Sequence, residues 1–268
     1  MSIVRKITRL LYKTIKYAFI LILILLVFVI ITINTPSFQT WLAHKGAAYL
    51  SDQLGAKVSI GKIHLAFVKS AELEDFFIED KNHDTLICSK AITALFNDFD
   101  FGNKYLRLER VELHETKAKI IKYKGSDDFN FKFLLDYFSP SNSGKTSGSS
   151  WRIEYGKLAL KNVDFNYRNE NYDTSLSKNI NFDNIRLNNI YGELSDIKII
   201  SDSIYANISD LECIEQSGFV IDKLSANAKV SSTRLICKAL EIETPNSKIA
   251  GNIMFNYLHW EDYKDLVN

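Results

Sequence analysis

The stretch from Tyr17 to Ile33, YAFILILILLVFVIITI, carries no charge, and the residues before it hold Arg5, Lys6, Arg9, Lys13 and Lys16 with no acid among them. As a helix this run measures about 25 Å at a rise of ~1.5 Å per residue, the short end of the ~17–25 residues that cross a bilayer. Lys13 and Lys16 extend it, because their stems can lie in hydrocarbon while the ammonium groups reach the interface. Positive charge gathered on one flank places that flank in the cytoplasm and everything after Asn34 outside. A cleaved signal peptide is the competing reading. Its apolar segment would be roughly 7–15 residues long and end at a small-x-small site, whereas this run is longer and leads into Ile31-Thr32-Ile33-Asn34-Thr35-Pro36. A soluble core helix fits least, since it would need apolar neighbours on every side. Residues 1–16 are therefore read as a basic cytoplasmic flank and 17–34 as a transmembrane signal anchor.

The anchor makes the whole-chain charge of +1 misleading. Of 33 basic residues five belong to the flank, which leaves 28 against 32 acidic ones, a net of −4 for the exported part. A mildly acidic ectodomain argues against a nucleic-acid partner, which needs basic charge clustered on one face. About 235 residues follow the anchor, enough for one large domain or two small ones. Cys88, Cys213 and Cys237 show neither C-x-x-C nor a short metal-ligand spacing. They leave two readings open, a Cys213–Cys237 disulfide in an exported protein and small free thiols buried within strands.

Thr35-Pro36 reads as an N-cap followed by proline at the first helical position. Phe38, Trp41, Leu42, Tyr49, Leu50 and Leu54 then recur at helical spacing, and Gly55 supplies the stop. An amphipathic helix is expected over 35–55, either lying on the outer leaflet or plugging the open end of a following sheet. Both arrangements bury Phe38, Trp41 and Leu42. From Ala56 the period falls to two. Val58 and Ile60 alternate, Gly61-Lys62 interrupts, and Ile63, Leu65 and Phe67 continue in the other phase. A phase shift at glycine predicts a bulge or tight bend. The pattern returns where Leu158 and Leu160 give way at Lys161-Asn162 to Val163, Phe165 and Tyr167. It is echoed in Leu224, Ala226, Ala228 and Val230, and in Ile249, Ile253, Phe255 and Tyr257. Short alternating runs separated by Asn, Asp, Ser and Gly predict strands.

Two interruptions divide the exported part. DFNFKFLLDYF predicts a short helix near 129–138, and SPSNSGKTSGSS over 139–150 is a flexible polar loop by composition. A first β section covers 56–138 and a second 151–268. Alternating strands give a sheet with one apolar face, and that face must be buried. No helix able to cover it is legible after Trp151. The sheet therefore either closes on itself as a sandwich or barrel, or curls around an apolar ligand, since an uncovered face of this size marks a binding surface. Beside a membrane anchor the ligand at hand is an acyl chain. Ile63, Leu65, Leu158, Leu160, Val163, Phe165, Ala226, Ala228, Val230, Ile253 and Phe255 are assigned to that face, as groove lining or as the core of a closed sandwich.

Chemistry-bearing motifs are missing. His44, His64, His83, His114 and His259 show no H-E-x-x-H or similar spacing. Asp80, Asn82 and Asp84 have the first three spacings of a calcium loop, but Thr85 stands where glycine is needed and Ala91 where the last acid belongs. G-x-S-x-G, Walker A and G-x-G-x-x-G are all lacking. Glu74-Asp75 and Asp127-Asp128 are neighbouring carboxylates that a strand would turn to opposite faces. The expectation is no enzyme, no cofactor and no metal.

In order along the chain stand the basic-flanked anchor, WLAHKGAAYLSDQLGAKVSIGKI over 41–63, LEDFFIED over 73–80 and DTLI over 84–87. SGFVIDKLSANA over 217–228 and LEIETPNSKIAGNI over 240–253 follow. Together these resemble the N-terminal part of TamB-type translocation and assembly module proteins, in the wider AsmA-like group, with an Asn-, Ile- and Lys-rich Bacteroidota style. The resemblance implies a mainly β fold, an elongated, curled antiparallel β-sheet with an apolar groove, running from the inner membrane across the periplasm. It implies phospholipid acyl chains as cargo, transport toward the outer membrane, and outer-membrane biogenesis or protein secretion. Members of the group are longer and meet an outer-membrane barrel partner through a C-terminal domain. This chain stops at Asn268, so it is expected to be an N-terminal fragment without the reach to the outer membrane.

Overall fold

The residues described in the computed structural model are 2–66, 69–100, 102–103, 105–138, 152–172, 174–175, 180–200, 203–231 and 233–256. Phe67, the polar loop over 139–150, and Tyr257 with the tail behind it lie outside them. Helix α1 (Ser2–Ile33) runs unbroken through the basic flank and the apolar run, so flank and span are one element. From Tyr12 to Ile33, 22 residues, it is long and apolar enough to cross a membrane, ~33 Å against ~30 Å of hydrocarbon. Almost every side chain over that span is exposed. The Asn34 amide closes the helix by donating to the Ile30 carbonyl at 2.7 Å.

Helix α2 (Pro36–Leu54) starts at once, with Thr35 extended at its N-cap and Gly55 left-handed behind it at φ 57°. Thr35 does not cap α2 through its side chain. Its hydroxyl donates backwards to the Thr32 carbonyl at 2.7 Å, while Pro36, which has no N–H to satisfy, opens α2. The buried stripe is Gln39, Ala43, Ala47 and Leu54, with Leu50 beside it. This corrects the expected Phe38–Trp41–Leu42 face: Trp41 is 53 % exposed, whereas Ala43 is fully covered. Alanines let the helix backbone lie close on the sheet, where an indole ring would overpack.

The strands are β1 (Val58–Ser59), β2 (Lys62–Ala66), β3 (Ser70–Glu79), β4 (Thr85–Asp100) and β5 (Tyr105–Lys122), followed by helix α3 (Lys132–Phe138). After it come β6 (Arg152–Asn169), β7 (Asn184–Ile200), β8 (Ser203–Glu215), β9 (Val220–Val230), β10 (Arg234–Thr244) and β11 (Ser247–Asn256). They form one open sheet of 11 strands in the order β1-β3-β4-β5-β6-β7-β8-β9-β10-β11, with β2 also on β3. The purely antiparallel sheet expected is in fact mixed, because β5 and β6 run parallel from Tyr105↔Arg152 to Lys122↔Asn169. A hairpin cannot join parallel strands, and α3 begins the crossover that this joint requires. The two β sections are thus one sheet.

A crease crosses the strands. Asp75, Glu115, Asn162, Asn189, Asp210 and Ala239 all have left-handed backbone, with φ between 45° and 59°. Strands change phase there: Leu73 and Phe76 on β3, like Leu160 and Val163 on β6, are an odd step apart yet pack into common clusters. The phase changes read at Gly61-Lys62 and Lys161-Asn162 fall on this line. The Gly61 N–H donates to the Glu74 carbonyl at 2.9 Å. Farther along, side chains of adjacent strands accept from N–H groups at the crease: Asp164 from Asn189 (3.2 Å), Ser225 from Asp210 (3.0 Å) and Asn252 from Ala239 (2.9 Å).

Cover over the sheet is uneven. At one end α2 and α3 close over a buried cluster that includes Ala43, Ala47, Leu54, Val58, Ile78 and Leu86, with Phe131, Phe133 and Leu134 packed against it. Lys81 donates to the carbonyls of Leu54 and Gly55, fastening the C-terminus of α2, and lies 5.0 Å over the Phe133 ring. Ser51 ties α2 to β1 by accepting from the Val58 N–H at 2.8 Å. Asp80, 1 % exposed, holds the turn between β3 and β4. Its carboxylate accepts from the N–H groups of Asn82 (2.8 Å) and Asp84 (3.0 Å), the Tyr123 hydroxyl (2.6 Å) and the Asn130 amide (3.1 Å). The calcium-like spacing is therefore the spacing of a turn whose carboxylate is occupied by donors. Among the described residues no cluster of His, Cys, Asp and Glu suits a metal ion.

Candidate functional site

Residues paired across neighbouring strands share a face, so the register traces the apolar surface row by row. One row runs Leu65–Ala71–Ala94–Val111–Leu158–Leu194–Ile208–Ala226, from β2 to β9 with every member apolar. At ~4.8 Å per strand it is about 34 Å wide. A second row runs Ile63–Leu73–Ile92–Leu113–Leu160 and meets Gly192 on β7. A Cβ at Gly192 would stand 2.8 Å from the Leu211 Cα, so Leu211 closes over the gap. Leu211 carries the apolar line on to Leu224, Ile242 and Ile249.

All the residues assigned from the sequence fall on this face. Ile63, Leu65, Leu158, Leu160 and Ala226 lie in these rows. Val163 and Phe165 pair with Thr116 and Ala118, and Val163 is buried with Ile190 and Cys213. Ala228 joins Ala206, Cys237 and Ile253, while Val230 joins Ile204, Leu235 and Phe255. One polar intrusion is satisfied internally: Ser89 and Thr116, each 1 % exposed, hydrogen-bond to each other at 2.6 Å. Glu215, 4 % exposed and paired with Leu187, keeps one carboxylate oxygen without a partner among the described residues.

Exposure rises away from the helices. Most of the face between β2 and β7 is buried or half-buried. Toward the far edge Ile204 is 49 %, Ile249 55 % and Phe255 40 % exposed. Among the described residues no helix lies beyond β6 in the sequence to cover them.

The opposite face of the same strands is charged. Glu112 accepts from Arg110 (2.7 Å) and Lys161 (2.6 Å), with His114 at 3.2 Å. Arg110 reaches Glu193 at 2.7 Å, and Lys157 reaches it at 2.8 Å. The hydrogen bond from Lys161, with that from Arg110 behind it, holds the Glu112 carboxyl down at about 2, against burial that pushes the other way. Lys157, followed by Arg110, lowers Glu193 in the same sense. Ion pairs on one face and aliphatic rows on the other make the sheet amphipathic across its thickness.

Leu73, Ile92, Ala94, Val111, Leu113, Leu194 and Ile208 also belong to the face, although alternation in the sequence does not mark them. Phase changes hide their alternation; Asp75, Asn189 and Asp210 at the crease are the signal that could have restored it on β3, β7 and β8. Strand β5 turns at Glu115 instead, and the left-handed residues of the crease include none on β4. The cysteines are free, and the Cys213–Cys237 pairing is absent: Cys213 faces Ile221 and Cys237 faces Ala228 and Ile253. Burial pushes both thiols up, with the Glu215 charge adding to it at Cys213. No known family model matches the chain, and no curated protein matches it either.

Proposed function

We propose that this is a membrane-anchored β-groove protein that takes phospholipid acyl chains onto the apolar face of its sheet, in the service of phospholipid transport to the outer membrane and outer-membrane biogenesis. The observation that carries this reading is the unbroken apolar row from Leu65 to Ala226, with Ile204, Ile249 and Phe255 standing open elsewhere on the same face. Apolar area left in water is unfavourable by roughly 25 cal/mol per Å². An acyl chain laid along the rows removes that penalty at ~0.8 kcal/mol per buried CH₂ while its headgroup stays in water. Because neighbouring positions along a row are alike, a chain can slide without meeting a deep trap, and no bond is made or broken. In this reading α1 holds the protein in the inner membrane with its N-terminus cytoplasmic and the sheet in the periplasm.

A photo-crosslinking side chain at Ile208, inside the row, should capture phospholipid in cells. The same group at Asn207, on the charged face, should not. Capture should disappear in the double variant Leu160→Asp, Phe165→Asp. Ile249→Asp at the exposed end should also lower it with little risk to folding. Equal capture at 207 and 208 would refute the groove. A second reading, an anchored scaffold for outer-membrane protein assembly that carries no lipid, draws on one observation: β11 pairs with β10 alone among the described residues. An unpaired edge offers N–H and C=O groups to a partner strand. Crosslinks from β11 to protein, with none from Ile208 to lipid, would favour it.

A further inference from the structure

Helix α2 has a second face that the sheet does not use. At ~100° per residue, the buried stripe of Gln39, Ala43, Ala47, Leu50 and Leu54 is opposed by Phe38, Trp41, Lys45 and Tyr49, with Asp52 as the one acid among them. Trp41 is 53 % and Tyr49 61 % exposed, and Lys45 is exposed between them. The Phe38 and Trp41 rings pack together with centroids 5.6 Å apart. Tyr49 meets Tyr137 of α3, itself 39 % exposed, which widens the aromatic strip. We infer that this outward face is a docking surface for the headgroup–acyl boundary of the bilayer that α1 enters.

Two observations select that occupant. The first is chemical: Trp and Tyr, with an apolar body and a polar tip, interleaved with lysine, suit the membrane–water interface. The second is continuity. Only Asn34 and Thr35 separate α2 from the apolar helix α1, whose exposed span calls for lipid around it. Trp41 lies about 8 Å along α2 from Pro36, comparable with a headgroup zone of roughly 5–8 Å on each side of the hydrocarbon. Tyr49 lies about 20 Å along the helix, so it stays at the interface only if α2 runs along the membrane plane. In that posture α2 has one face in the bilayer surface and the other on the sheet, and it sets the covered end of the apolar rows against the membrane. The inference rests on α1 being a retained anchor, not on lipid being carried.

The full chain, carrying Trp151→Phe and Trp260→Phe so that Trp41 is its one tryptophan, is reconstituted into vesicles of phosphatidylethanolamine and phosphatidylglycerol. A second version adds Trp41→Phe and Tyr49→Trp. Lipids brominated near the glycerol end should quench the indole at both positions by roughly twofold or more, and aqueous acrylamide should quench it correspondingly less. Two results overturn the inference in a chain that co-floats with vesicles: both indoles open to acrylamide and insensitive to bromolipid, or quenching at 41 without quenching at 49, which means that α2 projects away. A chain that does not co-float removes the anchor and this inference together. The groove is judged separately, by lipid capture at Ile208.

Discussion

Glu112 sits among Arg110, Lys161 and His114 on the charged face, and its carboxyl is held at about 2. An unfolded chain returns it to ~4.3. A folded value below the unfolded one means the stabilisation is complete above about pH 4.5 and is lost as the pH falls toward 2. The lysine partner is about half exposed, so screening by water reduces the expected loss to the order of 1–2 kcal/mol. Glu112→Gln should lower the urea midpoint at pH 7 and leave it unchanged near pH 2; a constant deficit at both would assign the effect to packing. The crease gives a residue-level contrast of opposite sign. Ala239 holds φ 48°, a conformation that costs a residue with a Cβ about 1–2 kcal/mol. Ala239→Gly should therefore raise the melting temperature. Gly192→Ala should lower it, because the new Cβ would collide with the Leu211 backbone. Melting curves that move in the same direction would count against the crease geometry.

Element by element, the sequence shows which segments form more readily than which way they face. Thr35-Pro36 and Gly55 mark the ends of α2, and alternation around Leu158 and Val163 marks β6, because caps and period-two patterns are local. The buried face of α2 is not local. Its apolar residues at 38, 41 and 42 are larger than those at 43 and 47, yet the sheet end selects the small ones. Burial of Ala43 in a tight contact predicts that Ala43→Leu overpacks and costs about 1–3 kcal/mol, while Trp41→Ala changes stability by less than about 0.5 kcal/mol. Denaturant titration of the two variants decides this, and the reverse ranking would restore the expected face. The parallel β5–β6 joint was not legible either, since strand direction depends on a crossover rather than on the alternation of either strand. Rows through β4 and β7 were hidden for the related reason that a change of phase erases period two within a single strand, although the register restores it across strands.

For the whole molecule, the substantial backbone contacts between strands run, among the described residues, between sheet neighbours, with α2 and α3 gathered at one end. Such a sheet resembles a repeat array, whose stability is close to a sum of neighbour terms rather than one indivisible core. Its buried residues are unevenly shared. One cluster lies under α2, a second is centred on Val163, Ile190 and Cys213, and β11 is exposed over nearly its whole length. Opening should therefore be local and graded, with the least covered strands at the low end of the scale. Native-state hydrogen exchange should find amides of β3 to β6 slowest and those of β10 and β11 fastest. Lipid should then act selectively. If acyl chains fill the open part of the face, adding phospholipid slows exchange in β8 to β11 and barely changes β3 and β4, which the helices already cover. A uniform rise across the sheet would point to global stabilisation of a single cooperative unit. No change in β8 to β11 would mean that the far half of the face serves something other than lipid, and the outer edge of β11, unpaired among the described residues, would become the surface to follow.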